Sequence, residues 1–166
     1  NKNLKKILSL SSPFIEKAIY ESCKIKKKIV EKDEKETALR KVLNFGHTFG
    51  HAYEAGLGYS HKLNHGEAVI LGMKTALNFS LRENMLSKNE YNLIINHIDN
   101  SGLPSSIKKY FSISDLNKIL SFMIKDKKNN SKKINLVLLK NIGKPVFNKL
   151  YSKKKVNLFL RKFLTN

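Results

Sequence analysis

The sequence predicts a mainly helical domain with one short pair of β-strands near residues 133–150. Apolar residues recur with a period near 3.6 through most of the chain. The period changes at "KINLVLLK", residues 133–140. Serine, glycine and proline fall where helices of ordinary length would start and stop.

Taken in order, "KNLKKILSL" (residues 2–10) has helical spacing, and "SSP" (11–13) resets the chain. Ser12 as cap with Pro13 in the first turn predicts a second helix to about Lys32, with Phe14, Ile15, Ala18, Ile19, Ile25, Ile29 and Val30 on one face. After the charged run "EKDEKE", a third helix is expected from about Thr37 to Ala55, ended by "GLG". The apolar helix from Gly66 to Asn84 gathers Ala68, Val69, Leu71, Gly72, Met73 and Ala76, and these small residues predict close packing at the centre of the domain. Ser87 and Glu90 form a capping-box pattern for a helix to about Asn100. Beyond "SGLPSS", Ser114 is the expected cap of "SDLNKILSFMIKD". "KINLVLLK" reads as a strand, "NIGKP" as a turn and "VFNKL" as a return strand; a helix from Ser152 to about Leu164 closes the chain.

Composition narrows the function classes. The 166 residues are 41% hydrophobic, enough for one domain with a real core, and no apolar run is long enough to span a membrane. The N-terminal stretch lacks the apolar core of a secretion signal. Cys23 is the single cysteine, which excludes an internal disulfide and points to a reducing, cytoplasmic setting. The net charge of +19 comes from lysines scattered through "KIKKK", "KDKKNNSKK" and "YSKKK". That scatter argues against a nucleic-acid-binding patch and for solvated helix faces that attract anionic substrates.

Histidines are distributed very differently. Four of the five, His47, His51, His61 and His65, lie in "LNFGHTFGHAYEAGLGYSHKLNHGE". On a helix His47 and His51 are one turn apart on one face, and His65 opens the next helix, which an antiparallel pair brings opposite them. Neutral imidazoles suit zinc, with a carboxylate as a further ligand and a position left open for substrate oxygen. Gly46 and Gly50 within the expected helix each cost about 1 kcal/mol relative to Ala, which suggests close approach of a partner helix or ligand. His61 reads as a surface residue, His97 as structural, and Glu67 as a charge complementing a helix N-terminus. This spacing accommodates a zinc hydrolase, a zinc lyase or a metal-dependent alcohol dehydrogenase.

The strings "LRKVLNFGHTFGHAYEA" and "HGEAVILGM" closely resemble the signature of the 3-dehydroquinate synthase family. "ESCKIKKKIVEKDEKETALR" is similar to that family's preceding helix and loop, and "DKKNNSKKINLVLLKNIG" to its late lysine-bearing region. The resemblance implies the helical C-terminal domain of the dehydroquinate synthase-like fold, whose usual N-terminal NAD-binding half has no counterpart in these residues. It implies conversion of 3-deoxy-D-arabino-heptulosonate 7-phosphate to 3-dehydroquinate and phosphate in the shikimate pathway, with NAD and Zn2+ or Co2+, by a homodimer. It makes His47 and His65 metal ligands, with a glutamate from an upstream "AEVIK"-like segment as the third. His51 is matched to proton transfer with Glu36 as its partner, and Lys26, Arg40, Asn44 and Lys127 or Lys128 to substrate binding. The i, i+4 spacing from Arg40 to Asn44 and the three residues from Asn44 to His47 place all three on the zinc face of the expected helix. Alternatives are another sugar phosphate cyclase, a polyol dehydrogenase of the same fold, or an inactive remnant serving as a basic binding module.

Overall fold

The computed structural model describes residues 2–125 and 133–165, which form two units divided between Leu43 and Asn44. In the first unit α1 (Leu4–Leu8) is followed by α2 (Phe14–Lys32). The expected Ser12 cap is not used: Pro13 occupies the cap position, no side chain caps the helix, and the Ser11 carbonyl accepts the Phe14 and Ile15 N–H groups at 3.0 and 3.1 Å. Proline suits this place because the missing N–H has no intrahelical partner there. Ile19, Tyr20 and Ile25 of α2 are 56–63% exposed, and no described residue of this unit is buried.

After α2 the side chain of Asp33 organises the chain. Its carboxylate accepts the backbone N–H groups of Thr37, Ala38 and Arg40 at 2.8–2.9 Å and the Thr37 hydroxyl at 3.1 Å. These bonds hold a turn instead of the start of an α-helix, and the segment Leu39–Asn44 continues as a 3-10 helix. The expected helix from Thr37 to Ala55 is thereby corrected. It breaks at Gly46, whose φ of +82° is left-handed, and α3 spans only His47–Gly56.

That break is imposed by packing in the second unit. A Cβ on Gly46 would lie 2.6 Å from the Met73 backbone nitrogen and 2.9 Å from the Val69 carbonyl. The partner is α4 (His65–Arg82), antiparallel in sequence sense across the 57–64 loop. A Cβ on Gly72 would fall 2.1 Å from the Gly46 oxygen, and one on Gly50 3.0 Å from the Ala68 oxygen. Gly46, Gly50 and Gly72 thus let two backbones touch, as the small residues of α4 predicted.

The remaining elements enclose this pair. α5 (Lys88–Asp99) begins at Ser87, whose hydroxyl accepts the Glu90 N–H, as expected. α6 (Leu116–Lys125) is entered through a short 3-10 turn, Ile113–Asp115. Its cap is corrected from Ser114 to Ser112, because Asp115 reaches back to the Ser112 N–H at 2.9 Å and completes a capping box. β1 (Lys133–Asn141) and β2 (Lys144–Ser152) form an antiparallel pair, longer than predicted, and α7 (Lys153–Thr165) follows. Ile134, Leu136 and Leu138 alternate into a core shared with Phe49 and Tyr53 of α3, Leu71 and Phe79 of α4, Ile119, Leu120 and Met123 of α6, and Val156 and Leu160 of α7.

Two buried polar links fix α4 within that core. The Tyr53 hydroxyl meets Thr75 Oγ1 at 2.9 Å, Thr75 Oγ1 donates to the Leu71 carbonyl, and burial pushes the Tyr53 phenol well above its ordinary pKa. Ser80 Oγ accepts the Leu139 N–H at 3.0 Å while donating to the Ala76 carbonyl. Leu139 sits beside a register shift of the β1–β2 pair, and the serine hydroxyl supplies an acceptor for its N–H at that irregular point. No helix among the described residues is long and apolar enough to cross a membrane.

Candidate metal centre

α3 begins at His47 directly after the glycine break, and His51 follows one turn later. α4 begins at His65, capped by Asn64, with Glu67 receiving the Asn64 N–H at 2.8 Å. Glu67 therefore serves the helix start, as its position suggested. Contact between Gly46, Gly50 and Gly72 holds the two helices close enough for all three imidazoles to converge, each offering a nitrogen within 4.8 Å of the others. Ring centroids are 5.3 Å apart for His47 and His51, and 5.8 Å from each of these to His65. His47 is half-buried, and His51 and His65 are exposed.

The three rings are not held alike. His47 Nδ1 lies 3.4 Å from the Phe45 carbonyl, and His65 Nδ1 lies 3.0 Å from Glu54 Oε2. A carbonyl or carboxylate oxygen can only accept, so both contacts favour the tautomer with hydrogen on Nδ1 and a lone pair on Nε2. Nε2 then carries the lone pair that a cation would use. The His51 ring makes no hydrogen bond to a described residue. Donor type and spacing together fit a divalent zinc-like ion.

Other candidates are placed as follows. His61 is exposed in the loop and His97 is exposed on α5, both outside the cluster. Lys26 is exposed on α2. Glu36 has a left-handed backbone, φ +55°, and its N–H is bonded to the Asp33 carbonyl at 3.3 Å. Arg40 donates its N–H to Asp33 and its guanidinium to the Glu34 carbonyl at 2.7 Å. Lys127 and Lys128 lie outside the described residues. The shared helix face for Arg40, Asn44 and His47 is corrected: at three residues per turn, a four-residue step turns by about 120° instead of returning to the same side, and the chain then breaks at Gly46.

Glu54 was missed by the sequence reading. It stands seven residues after His47 and three after His51 on α3, the spacing that puts a residue on their face, and this signal was available. Nor was Asp33 singled out, since its neighbours made it one member of a charge run.

Comparison with known proteins adds to this geometry. A family model described as 3-dehydroquinate synthase C-terminal matches residues 1–129. A 3-dehydroquinate synthase of Pelagibacter ubique is 62% identical over 165 residues, covering 99% of this chain and 45% of that protein. The chain thus spans under half the length of the curated relatives it matches. Among solved structures, a 2-deoxy-scyllo-inosose synthase complexed with carbaglucose-6-phosphate, NAD+ and Co2+ superposes with a TM-score of 0.76 at 22% identity, over 93% of this chain and 42% of that one. A 2-epi-5-epi-valiolone synthase from Streptomyces hygroscopicus subsp. jinggangensis with NAD+ and Zn2+ bound gives 0.63 at 20% identity, over 82% and 36%. At these identities the two structures establish the fold.

Proposed function

Because the chain belongs to the 3-dehydroquinate synthase C-terminal family, we propose that it supplies the metal- and substrate-binding part of a 3-dehydroquinate synthase. The substrate is 3-deoxy-D-arabino-heptulosonate 7-phosphate, and the products are 3-dehydroquinate and phosphate, in the shikimate route to chorismate and the aromatic amino acids. The observation that carries this reading is the convergence of His47, His51 and His65 within 4.8 Å, on the motif that also carries the family likeness. We assign the complete enzyme to the cytoplasm and to a homodimer.

His47 and His65 would hold the metal, Zn2+ or Co2+, through Nε2, since both rings have Nδ1 engaged by an oxygen. Bound there, the metal would supply Lewis-acid polarisation of substrate oxygens. The described residues contain only a two-stranded antiparallel sheet and no parallel strand-helix-strand unit that would seat a dinucleotide. NAD is assigned to a separate N-terminal half of the complete enzyme.

The chain's own residues then have distinct tasks. His51, with an exposed ring that makes no hydrogen bond to a described residue, is proposed as the proton-transfer residue. Glu36 is its proposed acid-base partner on family likeness. Arg40 and Lys26 are proposed to bind the carboxylate and phosphate of the substrate, where a guanidinium offers two parallel donors and an ammonium a point charge. Asn44 and one of Lys127 and Lys128 complete the proposed set.

The test joins this chain to an NAD-binding half, supplies NAD, Zn2+ and the heptulosonate phosphate, and measures dehydroquinate and inorganic phosphate. Both products are expected in equal amounts, and His47→Ala is expected to abolish metal binding and turnover together. Turnover of glycerol or another sugar phosphate, with none of the heptulosonate phosphate, would reject the substrate. Metal binding unchanged in His47→Ala would reject the ligand assignment.

A further inference from the structure

We infer that Glu54 is the positioning residue that presents His65 to the metal: its carboxylate fixes the exposed ring from behind, so that Nε2 faces His47 and His51. The inference rests on the metal-site reading above.

Three observations converge on Glu54. First, Glu54 Oε2 lies 3.0 Å from His65 Nδ1, across eleven residues of sequence and from one helix to the other. Second, the two side chains differ in freedom. The His65 side chain is 59% exposed, whereas that of Glu54 is only 13% exposed. An exposed imidazole loses rotamer freedom when it ligates, and a carboxylate already confined by its surroundings removes part of that cost beforehand. Third, the helix packing gives the pair its reach. Backbone contact through Gly50 and Ala68 brings the last turn of α3 alongside the first turn of α4, where His65 is the first residue. A negative charge beside that N-terminus is also favoured by the helix dipole.

Glu54 does not join the ligand cluster, since the convergent donor atoms are those of His47, His51 and His65. Its effect passes through His65. Hydrogen bonding to Nδ1 selects the tautomer that leaves the Nε2 lone pair for the metal and fixes the orientation of the ring. Phe45 offers His47 the same service with a neutral carbonyl at the longer distance of 3.4 Å.

The experiment is a titration with Co2+ of the chain joined to its NAD-binding half, followed by visible absorption and by competition with a chelator, for the parent, Glu54→Gln, His65→Ala and the double variant. Glu54→Gln keeps the side-chain shape, and melting of the metal-free proteins checks the fold. Expected is about a 10- to 100-fold loss of Co2+ affinity in Glu54→Gln, with a changed cobalt spectrum, metal-free melting equal to the parent and no further loss when the substitution is added to His65→Ala. Parent-like affinity in Glu54→Gln, or a loss that multiplies with that of His65→Ala, would overturn the positioning role while leaving the metal site standing. No Co2+ binding by the joined parent protein would overturn the metal site and the role of Glu54 with it.

Discussion

The two units hold their candidate site residues by different physics. In the second, His47, His51 and His65 stand on helices whose separation is set by a fully buried core and by backbone contact at three glycines. In the first, Lys26, Glu36 and Arg40 lie on a segment with no buried described residue, and Glu36 and Arg40 lie within a turn organised by one carboxylate, that of Asp33. Tertiary packing therefore fixes the proposed metal-binding groups, while local hydrogen bonds shape the backbone that presents the proposed substrate-binding arginine. One arrangement should fail globally and the other locally.

The strongest way to break the first arrangement is Gly72→Ala. The added Cβ would meet the Gly46 oxygen at 2.1 Å, a backbone atom that cannot swing aside. A loss of about 3 kcal/mol or more is expected, read as the midpoint of urea unfolding, together with weaker metal binding. Unchanged stability would mean that the helices do not touch through backbone. Ser80→Ala comes next, because it leaves the buried Leu139 N–H without its acceptor. About 1–3 kcal/mol should be lost, again across the whole second unit.

The smallest effect on overall stability is expected at Asp33, and it sharpens the contrast. Bonds from Arg40, Ala38 and Thr37, led by the Arg40 N–H, bring its pKa down from 3.8 to about 2. A carboxylate with a lowered folded pKa supports its structure fully above its unfolded value, and that support disappears as pH falls through the folded one. Amide exchange should therefore show Thr37, Ala38 and Arg40 losing protection between about pH 4 and about pH 2. Asp33→Asn should produce the same opening at neutral pH with no change in the unfolding midpoint of the second unit. A cooperative loss of both units in Asp33→Asn would erase the distinction.

Legibility in the sequence follows the same division. The helical periods, the change to strand at 133, the Ser87 cap and the approach of helices at small residues were readable because each is written in neighbouring side chains. So were the histidines: one-turn spacing and a helix start suffice to gather His47, His51 and His65. Gly46 was misread as a helix interior residue because its left-handed backbone results from contact with Val69 and Met73, more than twenty residues away. The Asp33 turn was hidden for a different reason. A carboxylate that bonds backbone N–H groups up to seven residues ahead has no periodic signature, and Glu34 and Glu36 beside it offer the same charge. The roles of Lys26, Glu36 and Arg40 came from family likeness, since an exposed lysine or a charge run carries no role of its own.

The glycine contact between α3 and α4 has a bearing on metal choice. Helices separated by side chains can breathe as those side chains change rotamer, whereas backbones already in van der Waals contact are nearly incompressible toward one another. The spacing between the bases of His47 and His65 is thus a fixed gauge, insensitive to repacking elsewhere in the core. At the proposed site, ions of different radius would be accommodated by swivelling imidazoles about χ1 and χ2 on an unmoving frame, with the partners at Nδ1 limiting how far each ring can turn.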